Sequence, residues 1–164
     1  VTTEPLIRPA DFADADAIAT IHWHARKEAM PWLPRVRTAF QLRDYVARTL
    51  LRTQDVFVAE LHGKPVAYAA WKLERDAPFG WLNHLYVAPA KQHRGVGSAL
   101  FALATKRMRP GFHLWVFQRN AIARAFYAKH GCTLLRETDG AENEEREPDA
   151  EYVWAPAKPS ELTL

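Results

Sequence analysis

The stretch Gln92-His93-Arg94-Gly95-Val96-Gly97 constrains this chain most, because of what stands on either side of it. Before it, Trp81 to Val87 is a largely apolar run of strand length. After it, Val96, Ala99, Leu100, Leu103 and Arg107 recur at the i, i+3, i+4, i+7 spacing of one helix face. A strand that turns through glycines into a helix leaves the first N–H groups of that helix without partners, at the positive end of its dipole. An anion docks there readily, and glycine lets it approach with no Cβ in the way. Lys91, His93 and Arg94 add cationic or ionisable side chains. The segment reads either as a phosphate or pyrophosphate site or as a glycine turn that only caps a helix.

Two common phosphate loops are excluded. No Gly-Lys-Ser/Thr follows these glycines, as a P-loop requires, and no third glycine completes G-x-G-x-x-G. The pattern present is Q/R-x-x-G-x-G/A. Leu85-Tyr86-Val87-Ala88-Pro89 precedes it, with Gln92 three residues beyond the proline. Downstream come Phe112 to Phe117, then Asn120, then Ala125-Phe126-Tyr127-Ala128-Lys129-His130-Gly131-Cys132. Taken in order, these segments resemble the GNAT superfamily of acyl-CoA-dependent N-acetyltransferases, with Cys132 where an aromatic is usual. Ile7-Arg8-Pro9-Ala10 and Asp14 to Ile18 are similar to that family's opening strand and helix. The resemblance spans residues 5 to 138.

The 164 residues suit one domain with a real core. Leu6–Arg8 reads as a first strand, and Asp11 or Asp14 caps a helix to Ala29 with a stripe of Ala15, Ile18, Ile21, His22 and Ala25. Thr38 caps a second helix to Arg52, its stripe formed by Phe40, Leu42, Tyr45, Val46, Thr49 and Leu50. Strands follow over 55–61 and 65–73, joined by a hairpin turn at His62-Gly63-Lys64. Leu100 and Leu103 of the glycine-loop helix are expected on the sheet, and Pro110-Gly111 ends that helix. A strand at 112–117, a helix at 120–130, a strand starting after Gly131 and ending near Glu137, and a last strand at 151–154 complete the reading. The acidic stretch Asp139–Asp149 reads as a solvated loop. The fold class is α/β (α+β). A single domain is expected over 1–154, with a mixed, mostly antiparallel sheet of six or seven strands flanked by about four helices. Residues 155–164 are expected to be a disordered tail.

A net charge of +3 with scattered basic residues suits an anionic cosubstrate, and no nucleic-acid-binding signature is present. One cysteine excludes an internal disulfide and points to a reducing cytoplasm. The seven histidines are dispersed, so no metal site is expected; His22 and His24, two apart, face different ways on a helix. No apolar run approaches the roughly 18 residues of a membrane span. The expected partners are an amine on a small molecule or a protein and, as an option, a second copy of the chain as a homodimer.

What the resemblance implies for the site is specific. Acetyl-CoA is the acyl donor. Main-chain groups of Leu85, Tyr86 and Val87 pair with pantetheine between two splayed strands, and an N–H near Leu85 polarises the thioester carbonyl. Gln92, His93, Arg94, Gly95, Val96, Gly97 and Ser98 surround the pyrophosphate, and Asn120 bonds the pantetheine arm. Tyr127 matches the family tyrosine aimed at the thioester sulfur, as general acid or hydrogen-bond donor; its bland reading is a helix aromatic in the core.

The general base is not evident. Where many relatives have Glu in the fourth strand, this chain is read as having Trp81, which takes no proton. Asn83 can hold a water on that strand face, and His84 points to the other face unless a bulge re-aims it. Trp23, His24, Glu28, Trp32, Trp81 and Asn83 are the candidates for the acceptor side, three of them as an aromatic pocket; each also reads as an ordinary packed or surface residue. Glu142 to Glu147 reads as an attractor of a cationic amine or as a solvated run. Two functions stand: an N-acetyltransferase, and a non-catalytic acyl-CoA-binding or sensing domain that has lost its base.

Overall fold

A computed structural model describes residues 4–157; the residues expected as a tail lie mostly outside that range. Seven strands form one sheet: β1 Leu6–Pro9, β2 Asp55–Leu61, β3 Lys64–Leu73, β4 Gly80–Val87, β5 Phe112–Phe117, β6 Thr133–Thr138 and β7 Asp149–Trp154. Their order is β1-β2-β3-β4-β5-β7-β6, and every neighbouring pair is antiparallel except β4 and β5. His62 and Gly63 both take positive φ, 52° and 73°, which makes the tight two-residue hairpin the sequence anticipates.

Helices cover both faces. On one lie α1 Ala15–Ala29 and α2 Ala39–Tyr45, the latter running through a π-helical turn, Val46–Leu50, into the single-turn α3 Leu51–Thr53. Thr38 caps α2 reciprocally: the Gln41 N–H donates to Thr38 Oγ1 and the Thr38 N–H donates to Gln41 Oε1. Asp11 caps a short 3₁₀ turn, Phe12–Asp14, and Asp14 instead pairs with Arg8 at 2.8 Å. Leu42, Val46, Ala47 and Leu50 are in the core. Phe40, expected there, is 78% exposed because it lies two residues from Leu42 and so on the other side of α2, and the wider π turn at 46–50 turns Ala47 in and leaves Thr49 exposed. This layer buries Val56, Val58, Tyr68 and Ala70 of the sheet.

On the other face lie α4 Val96–Arg107 and α5 Ala121–Lys129. Val96, Leu100, Phe101 and Ala104 of α4, with Met108 beyond it, pack on Phe57, Trp71, Leu82, Phe112 and Leu114, while Leu103 is half-buried. Phe101, Ala104 and Met108 carry more of this contact than the expected stripe allowed, because α4 is apolar over most of its girth. Among the described residues, no helix is long and apolar enough to cross a membrane.

Candidate active site

β4 and β5 are joined at two positions only, Gly80 with Phe112 and Trp81 with His113. Beyond them β4 runs on to Val87, paired with β3, and β5 runs on to Phe117, paired with β7, with no rung between the two. The sheet therefore opens into a slot at its centre. Leu85, Tyr86 and Val87 lie along one wall. Backbone groups on a strand edge require partners, and an extended amide-bearing chain can supply them.

β4 also carries a bulge. Ala70 faces His84, but the next residue, Trp71, faces Leu82, so Asn83 is the extra residue. A bulge places two successive side chains on one face. Asn83 turns outward and donates to Gln54 Oε1 at 2.9 Å. His84 turns in beneath α1, among His22, Tyr68, Tyr86 and Tyr45, with ring centroids 5.6, 6.0, 6.2 and 6.5 Å away. His84 Nδ1 is buried with no hydrogen-bond partner, alone among the buried side-chain nitrogens and oxygens of the described residues. Burial, reinforced by Arg26 and Arg37, pushes this imidazole down to about 4. It is neutral at neutral pH and has a lone pair free. Such an orphaned buried polar atom calls for a partner, a water or a ligand.

At the end of β4, Gln92 donates to the Val87 carbonyl at 3.3 Å and fixes the start of the glycine loop. His93 and Gly95 both have positive φ, 63° and 78°. The loop thus bends sharply into α4, whose N-cap, Gly95, offers no capping side chain. Among the described residues no backbone carbonyl takes the N–H groups of 93 to 98, whereas that of Ala99 bonds to the Gly95 carbonyl. Gly97 sits on the first turn, where a Cβ would meet Val87 and Phe126 at 3.4 and 3.6 Å. The Ser98 hydroxyl is held by His130 Nε2 at 2.9 Å. Unpaired N–H groups at a helix start, next to Lys91, His93 and Arg94, suit a phosphate or pyrophosphate. The residues present therefore fit a CoA-type ligand.

α5 packs beside the loop. Asn120 caps it by accepting from the Ala123 N–H, and its Nδ2 is left with only a long contact to Met30 Sδ, at 3.5 Å. Tyr127 sits against Phe101 and Phe126. Burial, with Tyr86 close by, raises its phenol above the ordinary 10, so it keeps its proton. Cys132, in the usual aromatic position, is a buried thiol whose pKa burial pushes up to about 12.

A cleft of about 240 Å³ lies between α1, the 30–37 segment and the acidic loop. Trp23 lines it, but the expected aromatic pocket does not form. Trp32 packs edge-on to Phe117, and Trp81 packs with Phe79 and His113 at the apex of the slot. His24 and Glu28 are exposed on the outer side of α1. The acidic loop is not simply solvated. Glu145 accepts from Arg26 at 2.8 Å and Glu144 takes Arg37 in a two-bond fork at 2.8 and 3.0 Å. The residues to which the sequence reading gave no site role here are Arg26, Arg37, Tyr45 and Tyr68, while Glu145 lay in the acidic run read as an attractor of an amine or as solvated. A signal existed in the density of cations between 26 and 37, and in a tyrosine amid the alanines of β3.

Comparison with known proteins agrees with this geometry. The sequence matches the acetyltransferase (GNAT) family over residues 17–132. No curated protein is detectably similar to it in sequence. Among solved structures it resembles apo YjaB from Escherichia coli, at 19% identity and a TM-score of 0.73 over 94% of this chain and 100% of that one. It resembles the PaiA N-acetyltransferase of Thermoplasma acidophilum, solved in complex with coenzyme A, at 16% identity and 0.70 over 91% and 98%. It also resembles a ribosomal-protein-alanine N-acetyltransferase from Brucella melitensis, at 22% and 0.70 over 92% and 99%. At these identities the structures establish the fold; the family match over most of the sequence establishes that the chain belongs to the GNAT acetyltransferase family.

Proposed function

We propose that this protein moves an acetyl group from acetyl-CoA directly to a primary amine. The observation that carries this reading is the open slot between β4 and β5, with the unpaired N–H groups of the glycine loop at one end and Tyr127 beside it. Each element has a distinct task. The N–H groups of His93 to Ser98 bind pyrophosphate, with Lys91, His93 and Arg94 adding positive charge. Backbone groups of Leu85 to Val87 hold the pantetheine, and an N–H near Leu85 polarises the thioester carbonyl as charge builds on its oxygen. Asn120 Nδ2 is the side-chain donor to the pantetheine arm.

The chemistry needs a neutral amine, a new C–N bond and a broken C–S bond. His84, neutral and with an unpartnered Nδ1, takes the proton released by the attacking amine, directly or through one water, and gives it up to solvent before the next cycle. Tyr127 hydrogen-bonds the departing sulfur and protonates it as the C–S bond breaks, then recovers its proton from solvent. His84 thus occupies the role that Trp81 left vacant in the sequence reading.

The test is thiol release from acetyl-CoA with polyamines, amino acids, aminoglycosides and peptide N-termini, followed by mass detection of the acetylated amine. Acetylation of at least one class is expected. Tight acetyl-CoA binding with no acetylated product from any class would instead establish the non-catalytic acyl-CoA-binding alternative.

A further inference from the structure

Resting on the transfer reading, we infer that the acceptor is a small, largely apolar amine that also carries a carboxylate, and that Arg35 and Lys27 recognise that carboxylate. The cleft beside the His22–His84 cluster is lined by four cationic side chains, Arg26, Lys27, Arg35 and Arg37, and by one carboxylate, Glu145. Arg26 is committed to Glu145 and Arg37 to Glu144. Lys27 and Arg35 meet no carboxylate among the described residues, so the cleft has positive charge left over. A surplus of one sign within low-dielectric walls attracts the opposite sign and repels its own.

Arg35 is also pre-positioned. Its guanidinium lies over the Trp23 ring at 4.3 Å. Stacking uses the flat face of a guanidinium and leaves its N–H edge free, and that edge matches a carboxylate with two parallel bonds. The wall between the cations is apolar, with Met30, Leu33, Val36 and Leu42. At about 240 Å³ the cleft is smaller than the roughly 300–1,000 Å³ of sites for drug-sized ligands, which suits a molecule of amino-acid size. A polyamine or aminoglycoside would bring further positive charge into a wall that already has an excess. The two ion pairs that fasten the acidic loop also remove the carboxylates that would otherwise have favoured such a polycation.

The experiment compares acceptors that differ only in the anionic group: phenylalanine with phenylalaninamide, leucine with leucinamide, and spermidine as the polycation. Thiol release is measured, and kcat/KM is expressed per neutral amine so that the lower amine pKa of the amides does not bias the comparison. The free amino acids are expected to exceed their amides by about 10–100-fold, the range for a hydrogen-bonded charge. In Arg35→Ala, whose side chain is at the surface, that ratio should fall toward one. Amides or spermidine that match the amino acids per neutral amine, or an unchanged ratio in Arg35→Ala, would overturn the inference. A second arm needs no turnover: calorimetric binding of N-acetylphenylalanine and its amide to the CoA-loaded protein. If no amine releases thiol, the transfer reading fails while this arm still decides. Preference for the carboxylate, lost in Arg35→Ala, supports the inference, and equal or absent binding of the two ligands refutes it.

Discussion

His22 Nδ1 and the Tyr68 hydroxyl lie 2.6 Å apart, buried between α1 and β3. Arg26 approaches the other ring nitrogen, Nε2, at 3.5 Å. A guanidinium has only donors, so Nε2 is the acceptor, and the imidazole proton sits on Nδ1 and donates to Tyr68. A second proton on His22 would face Arg26 inside the protein. Burial, with His84, Arg26 and Arg37 adding to it, pushes His22 from the ordinary 6.5 to about 2.

This fixes the sign of an acid effect. Between pH 6.5 and 4 the unfolded chain binds protons that His22 and His84 refuse in the fold, so stability falls as pH falls through that window. The slope approaches about 1.4 kcal/mol per pH unit for each histidine. The salt-bridged carboxylates Asp14 and Glu144 have lowered pKa values, so they lose their contribution only at more acidic pH, below the unfolded carboxylate range. Thermal melts should therefore show Tm dropping between pH 6.5 and 5. In His22→Asn, which has no titrating proton, the drop should be shallower. Parallel Tm–pH curves would show that His22 is not the source.

Donor binding is predicted to live on the glycine loop. Gly95 has φ 78°, which a β-branched residue adopts only with strain, although open space surrounds it. Gly95→Val should therefore leave the core intact and reshape the loop, lowering acetyl-CoA affinity by at least about tenfold, as expected when one or more charge-assisted bonds are lost. Calorimetry on a variant with near-native Tm decides this. Unchanged affinity would place the pyrophosphate elsewhere.

The sequence made the local elements readable and left long-range adjustments hidden. β2 and β5 fall on the expected residues, 55–61 and 112–117, because turn residues bound them sharply. The bulge at Asn83 did not show, since a break in period two becomes visible only when β3 supplies the register. The bulge re-aims Asn83, while His84 keeps the ordinary alternation with Tyr86 opposite Ala70; its burial was hidden because it depends on α1 and α2 bringing His22 and Tyr45 over that face. The π turn at 46–50 is a similar case: one widened turn brings Ala47 in and leaves Thr49 out of a stripe that looks regular in the sequence. The loop, Asn120 and Tyr127 were legible because their spacing is local. The pairing of Glu144 and Glu145 with arginines more than a hundred residues away was not.

Tyr127→Phe tests the leaving-group role. The hydroxyl acts on a sulfur that gains charge only as its bond breaks, so the loss belongs in kcat rather than in donor affinity. A fall of about 10²–10⁴-fold in kcat is expected, the usual cost of removing a general acid. The ring contacts with Phe101 and Phe126 remain in the variant, so Tm should change little. Wild-type kcat with chemistry rate-limiting would reduce Tyr127 to a packing residue.

The last prediction concerns the proton taken from the amine. His84 is depressed to about 4, so it is already neutral throughout an assay between pH 6 and 10. It cannot then set the rising limb of the pH profile. That limb belongs to the acceptor, which must lose its own proton before it attacks. The midpoint of kcat/KM against pH should therefore move with the amine pKa when acceptors are exchanged. An enzymic base tuned near neutrality would hold the midpoint fixed whichever amine is used, and that result would reject His84 as a depressed, ready acceptor. His84→Gln completes the argument. It removes the proton acceptor while keeping a polar side chain in the bulge, and kcat/KM should fall by about 10²-fold, the lower end for a general base because a weakly basic imidazole gains less from each proton transfer. The acceptor-dependent midpoint should survive in that variant, since it never belonged to His84.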